Sequence, residues 1–172
     1  MDIRRLTVED AASFWRVRLE ALRQYPQAFG SAYEEAKDTP FADVKARFST
    51  DPGQFILGAF TEAGELAGVV GFRRESSRKV RHKGMIWGMY VDPAVQGRGV
   101  GRMLMAELLR RAGELPGLEQ AQLAVVETNA SAKRLYESLG FAAYGLERNA
   151  LKLGDGTYAD EVLMAYHFGG GE

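Results

Sequence analysis

Residues 84–91, Gly-Met-Ile-Trp-Gly-Met-Tyr-Val, are apolar on both faces of any extended chain, which only a strand inside a sheet tolerates. A glycine-rich turn follows, then a helical pattern with Val100, Met103, Leu104, Leu108 and Ala112 on one side, then a second strand pattern, "LEQAQLAVVE". A helix joining two neighbouring strands forms a right-handed crossover, so the two runs make a parallel pair. That requirement excludes all-helical and purely antiparallel folds.

The flanking chain adds elements that need no crossover. "DIRRLT" reads as a strand, and Thr7 as the cap of a helix reaching about Arg23, with Val8, Ala11, Ala12, Trp15, Leu19 and Leu22 as its apolar stripe. "SAYEEAKD" and "TPFADVKARF" read as short helices, the latter opened by Pro40. "QFILGAFTE" and "LAGVVGFRRE" form a hairpin, as do "FAAYGLERNALKL" and "TYADEVLMAYHF" around the turn "GDG". "NASAKRLYESLG" is a helix capped by Asn129 and stopped by Gly140. The expected fold is α/β, a mixed and mostly antiparallel central sheet of about seven strands. Its 172 residues suit one domain, residues 1–168, with 169–172 as a flexible tail.

Composition removes whole classes of function. Lys and Arg number 22 against 23 Asp and Glu, so the basic excess of a nucleic-acid binder is missing. With no cysteine there is no disulfide, no thiolate nucleophile and no thiolate metal ligand. His82 and His167 lack metal-ligand spacing, each reads as a strand residue, and no metal site is expected. No apolar run approaches a membrane span, and "MDIRRLTVED" lacks the apolar centre of a secretory signal. The expectation is a cytoplasmic protein with neither membrane nor nucleic-acid partner.

The turn "VDPAVQGRGVGRML" carries the chemistry. Gly97, Gly99 and Gly101 clear side chains from a helix entrance, where free N–H groups and the dipole favour an anion, above all phosphate. Arg98 and Arg102 add positive charge. A P-loop is excluded, because no Lys-Ser or Lys-Thr follows the glycines. A dinucleotide fingerprint fits Gly97 and Gly99 but meets Arg102 at its third glycine, although Glu127 could imitate the ribose-binding acid.

"YVDPAVQGRGVGRMLM" resembles the acetyl-coenzyme A motif Q/R-x-x-G-x-G/A of the GNAT superfamily of N-acetyltransferases, carried here by Gln96, Gly99 and Gly101. "NASAKRLYESLGF" resembles the family's later helix, with its asparagine, tyrosine and closing Gly-Phe. The resemblance implies a parallel pair that splays to admit the pantetheine arm of acetyl-coenzyme A (acetyl-CoA). Met89, Tyr90 and Val91 would pair with that arm through their backbone, and residues 97–102, Val100 among them, would hold the pyrophosphate. Asn129, Lys133 and Tyr136 would reach the cofactor from the facing helix.

Acetyl transfer to an amine needs a proton removed, an oxyanion stabilised and a thiolate released. Without cysteine, direct attack in a ternary complex is the simpler route. Tyr136 is the candidate acid, and an N–H at Tyr90 or Val91 the oxyanion donor. For the base, Glu127, Glu34, Glu35 and a water chain remain open. Glu34, Glu35, Asp38, Asp155, Asp160 and Glu161 make the expected acceptor segments acidic, suited to a cationic small-molecule or peptide amine. The basic run "RRESSRKVRHK" lies at the far end of its strand, roughly 25 Å from the glycines at ~3.3 Å per residue, and reads as a solvated loop, with an acidic partner or a homodimer contact as the alternative. A noncatalytic acyl-CoA-binding module and a nucleotide-dependent oxidoreductase stand as the alternatives.

Overall fold

A computed structural model describes residues 1–169, so the tail expected at 169–172 lies, beyond Gly169, outside the described residues. The strands are β1 (Asp2–Arg5), β2 (Gln54–Phe60), β3 (Leu66–Arg74), β4 (Lys83–Val91), β5 (Gln120–Val126), β6 (Ala142–Lys152) and β7 (Tyr158–His167). The helices are α1 (Ala11–Gln24), α2 (Tyr33–Ala36), α3 (Phe41–Lys45), α4 (Val100–Gly113) and α5 (Ala130–Ser138). They surround a seven-stranded sheet of order β1-β2-β3-β4-β5-β7-β6. Only β4 and β5 run parallel, joined by α4 as the crossover.

Two apolar clusters sandwich this sheet. On one face Leu104, Met105, Leu108 and Ala112 of α4 pack on Leu57, Val70 and Phe72. On the other, Ala11, Phe14, Val17 and Ala21 of α1 pack on Ile56, Val69 and Tyr90. Each fully buried aliphatic or aromatic side chain contributes roughly 1.5–3 kcal/mol, so both helices are fixed by their inner faces.

Those faces correct the sequence reading. Val8 and Ala12 are exposed, whereas Phe14, Val17 and even Arg18 are buried. A turn of 3-10 helix, Val8–Asp10, held by the Thr7 N–H donating to the Asp10 carboxylate at 2.8 Å, takes Val8 out of the stripe. Within α1 the helical period permits a stripe through Trp15 or one through Phe14 and Val17, and packing on the sheet selects the second. On α4, Met105 is fully buried and Met103 faces outward. His82 sits in the turn before β4, where its carbonyl accepts from the Glu119 and Gln120 N–H groups, and not in a strand.

Candidate active site

The parallel pair is joined over only three positions, Lys83↔Gln120, Gly84↔Ala121 and Met85↔Gln122. Beyond them the strands part. On its other edge β4 pairs Tyr90 with Val69 but Trp87 with Gly71, so Gly88 and Met89 together face Val70 alone. This bulge needs the left-handed backbone of Gly88, φ +67°, and it bends the strand. From Ile86 to Val91 the β5-facing edge of β4 has no strand partner, and a cavity of about 790 Å³ opens there. Unpaired backbone groups of this kind accept an extended ligand as an added strand.

At the top of β4 the chain is tied down before it turns. The Ala94 N–H donates to Asp92 Oδ1 at 2.8 Å, and Gln96 Nε2 donates to the Val91 carbonyl at 3.2 Å. Gly97 and Gly99 then take φ values of +81° and +74°, and nothing lies within 4 Å of where either Cβ would stand. Gly101 differs: a Cβ there would meet Leu135 Cδ2 and Met89 Cε, both at 3.3 Å, so this glycine lets α4 approach its neighbours. The first-turn N–H groups of α4, from Val100 to Arg102, have no intrahelical partner, and all three residues line the cavity. The Arg102 guanidinium donates to Ser138 Oγ at 2.6 Å, linking α4 to the end of α5 across the opening.

The opposite wall comes from β5 and α5. Asn129 caps α5 by accepting from the Ala132 N–H at 3.2 Å, which leaves its amide NH₂ free. Tyr136 lines the cavity at 7% exposure, and burial alone pushes its hydroxyl up to about 12. Tyr90 is also pushed up to about 12, first by burial, and its hydroxyl donates to Gln24 Oε1 at 3.2 Å.

Of the residues singled out from sequence, Met89, Tyr90, Val91, Gln96, Gly97, Gly99, Val100, Gly101, Arg102, Asn129 and Tyr136 line this one cavity. Arg98 and Lys133 are not on its wall. Nor is Glu127, whose exposed side chain leaves the strand end while its N–H donates to the Asp160 carbonyl at 2.9 Å. Glu34 is exposed on α2 and paired with Lys37, and Glu35 faces a separate, smaller cavity. No carboxylate and no imidazole lines the large cavity among the described residues. Sequence reasoning missed Phe29 and Trp87 in the wall, and the Gly88 bulge; a glycine inside a strand pattern was the available sign of the last.

The sequence pattern of the acetyltransferase (GNAT) family matches residues 15–141. The [ribosomal protein bS18]-alanine N-acetyltransferase of Escherichia coli is 31% identical over 119 residues, 69% of this chain and 76% of that protein. Mycothiol acetyltransferase of Salinispora tropica is 32% identical over 126 residues, covering 72% of this chain but only 40% of its own length. Among solved structures, a phosphinothricin acetyltransferase from Sinorhizobium meliloti in complex with acetyl-CoA superposes with a TM-score of 0.82. It is 24% identical and covers 99% of this chain and 89% of that one, a likeness of fold.

Proposed function

The chain belongs to the GNAT acetyltransferase family, and from that premise we propose that it transfers an acetyl group from acetyl-CoA to a primary amine by direct attack in a ternary complex. The observation that carries this reading is the splay of β4 from β5 beside two glycines with open space above them. The residues present fit the cofactor. The unpaired edge of Ile86–Val91 suits a pantetheine amide chain, and the α4 entrance suits a diphosphate. When bound, acetyl-CoA supplies an activated thioester carbonyl.

The protein's own groups supply the rest. A backbone N–H on the open edge of β4, at Met89 or Val91, holds the carbonyl oxygen, since the register commits the Tyr90 N–H to β3. The Tyr136 hydroxyl donates a hydrogen bond to the departing sulfur. Full proton transfer is not required of it: with the phenol at about 12 and a thiol near 8.5, transfer would be uphill by about 5 kcal/mol. The cavity wall holds no base, so the acceptor enters as the neutral amine or passes its proton to water.

Among the described residues no helix is long and apolar enough to cross a membrane, and we place the reaction in the cytoplasm. Coenzyme A should raise the melting temperature, and thiol should appear when acetyl-CoA meets a library of primary amines. Binding without thiol release would identify a noncatalytic acyl-CoA module instead, and no binding would remove the proposal.

A further inference from the structure

One buried cation has no part in acetyl transfer as described. Arg18, on α1, is 8% exposed, and its Nη1 has no hydrogen-bond partner among the described residues. Its guanidinium lies 5.2 Å from the Phe29 ring centre and 5.9 Å from that of Trp87. Arg47 stacks on Trp15 at 4.9 Å. Both arginines line a second cavity of about 190 Å³ between α1, α2 and the end of α3.

The electrostatics of that cavity are unbalanced. The ion pairs among the described residues engage Arg4, Arg23, Lys37, Arg110 and Arg111, and neither Arg18 nor Arg47 is among them. Glu35 is the one carboxylate on the wall against two guanidiniums, leaving a net charge of +1. Burial first, and the charge of Arg47 second, lower the Arg18 pKa to about 10. A desolvated guanidinium without a counter-charge is costly, and an anion settling between the two arginines removes that cost.

Its position says whose anion. Arg18 Nη1 is 3.3 Å from the point where a Cβ would stand on Gly88, the bulge residue of β4. Phe29 and Trp87, which hold Arg18, also line the large cavity. Arg18 thus lines the small cavity and packs against two wall residues of the large one, so the two spaces are neighbours.

We propose that Arg18 and Arg47 form a carboxylate subsite for the acceptor, so that the amine acetylated belongs to a small, amino-acid-like molecule. The carboxylate sits in the small cavity and the amine points past Gly88 into the splay. The inference rests on the acetyl-transfer reading for its chemistry, and it reverses the acidic acceptor site expected from Glu34 and Glu35.

The standard amino acids, each beside its α-carboxamide, provide the probes. Thiol release from acetyl-CoA gives kcat/KM, and melting shifts without acetyl-CoA give binding alone. Compared at a pH above the pKa of both amines, so that each is neutral, the best acid should exceed its amide by roughly 10- to 100-fold, the worth of a charge-assisted hydrogen-bond pair. That preference should collapse in Arg18→Met and in Arg47→Gln, while both variants keep the wild-type melting shift with coenzyme A. Arg47 is exposed, so its variant carries the test if Arg18→Met does not fold. Amides that bind and react as well as acids, or a preference that survives in Arg47→Gln, would overturn the subsite. Acid-selective melting shifts in a protein that ignores coenzyme A would support the subsite and end the acetyl-transfer reading.

Discussion

Arg18 and Gly88 meet across the sheet surface, with Nη1 3.3 Å from where a side chain at residue 88 would begin. The contact joins a buried charge on α1 to the one residue of β4 with a left-handed backbone. Gly88→Ala should therefore cost in two ways. The φ of +67° alone is worth about 1–2 kcal/mol in an L-residue, a fall of roughly 2–8 °C in melting temperature at this size. The crowding of Arg18 adds to it. In an Arg18→Ala background the second contribution should vanish and the first remain. A thermodynamic cycle of the four proteins in urea reads both, and equal costs in the two backgrounds would show that the contact is slack.

Tyr136→Phe keeps the ring that packs 5.9 Å from Phe141 and removes only the hydroxyl. Stability should hold or rise slightly, because a buried hydroxyl raised by burial alone is losing no protein partner. Turnover should fall by roughly 10- to 100-fold, the worth of one hydrogen bond to a developing thiolate. Coenzyme A affinity, followed by calorimetry, should stay within about threefold. Unchanged turnover would reduce Tyr136 to a core residue.

A cavity wall without carboxylate or imidazole makes a prediction about pH. kcat/KM should climb about tenfold per pH unit and level off near the acceptor amine's own pKa, about 7.7–8.0 for a peptide α-amine and higher for a free amino acid, whose carboxylate makes the amine more basic. Tyr136, at about 12, adds no descending limb in the accessible range. The profile should track the acceptor when amines of different basicity are compared. A break near pH 6 that ignores the acceptor would instead reveal an enzyme base.

The fold was legible where one residue type has one physical meaning. The apolar run at 84–91 demanded a central strand, and the crossover helix fixed its parallel neighbour. The turn into α4 was legible because its glycines mark positions of left-handed backbone, which Gly97 and Gly99 adopt. Helix faces were less so: Phe14 and Trp15 are adjacent and both apolar, so α1 offers two overlapping stripes, and only packing against Ile56 and Val69 selects the one through Phe14. The small cavity was not legible for another reason. Counting acidic residues near α2 cannot show that Arg18 and Arg47, distant in sequence, converge on the same small space.

Asp10 closes the 3-10 turn before α1 and also meets Arg4, with two contacts of 2.9 Å. The hydrogen bonds from Arg4 are the main reason its carboxyl titrates below the ordinary 3.8. A carboxyl more acidic in the fold than in the unfolded chain stabilises fully above the unfolded value, and the gain is lost as pH falls through the folded one. Asp10→Asn should thus destabilise by roughly 1 kcal/mol at neutral pH, and the gap from wild type should close as pH falls below the ordinary carboxyl value and through the lowered one. Melting curves across the acid range read this directly; a gap that persists in acid would assign the loss to capping geometry and not to charge.

The three glycines of the turn separate by mechanism, which makes them the sharpest probe of the cofactor site. Gly97 and Gly99 have positive φ and open space, so alanine at either costs roughly 1–2 kcal/mol of strain and pushes a methyl toward the proposed diphosphate. Gly101 lies inside α4 with an ordinary φ, where alanine gains up to about 1 kcal/mol of helix propensity against contacts with two flexible side-chain ends. Gly97→Ala and Gly99→Ala should each weaken coenzyme A by tenfold or more, as about 1.4 kcal/mol of lost contact requires. Gly101→Ala should change stability by less than about 1 kcal/mol and affinity by less than either. If Gly101→Ala is the most damaging of the three in a calorimetric titration, the diphosphate approaches the helix itself and not the turn before it.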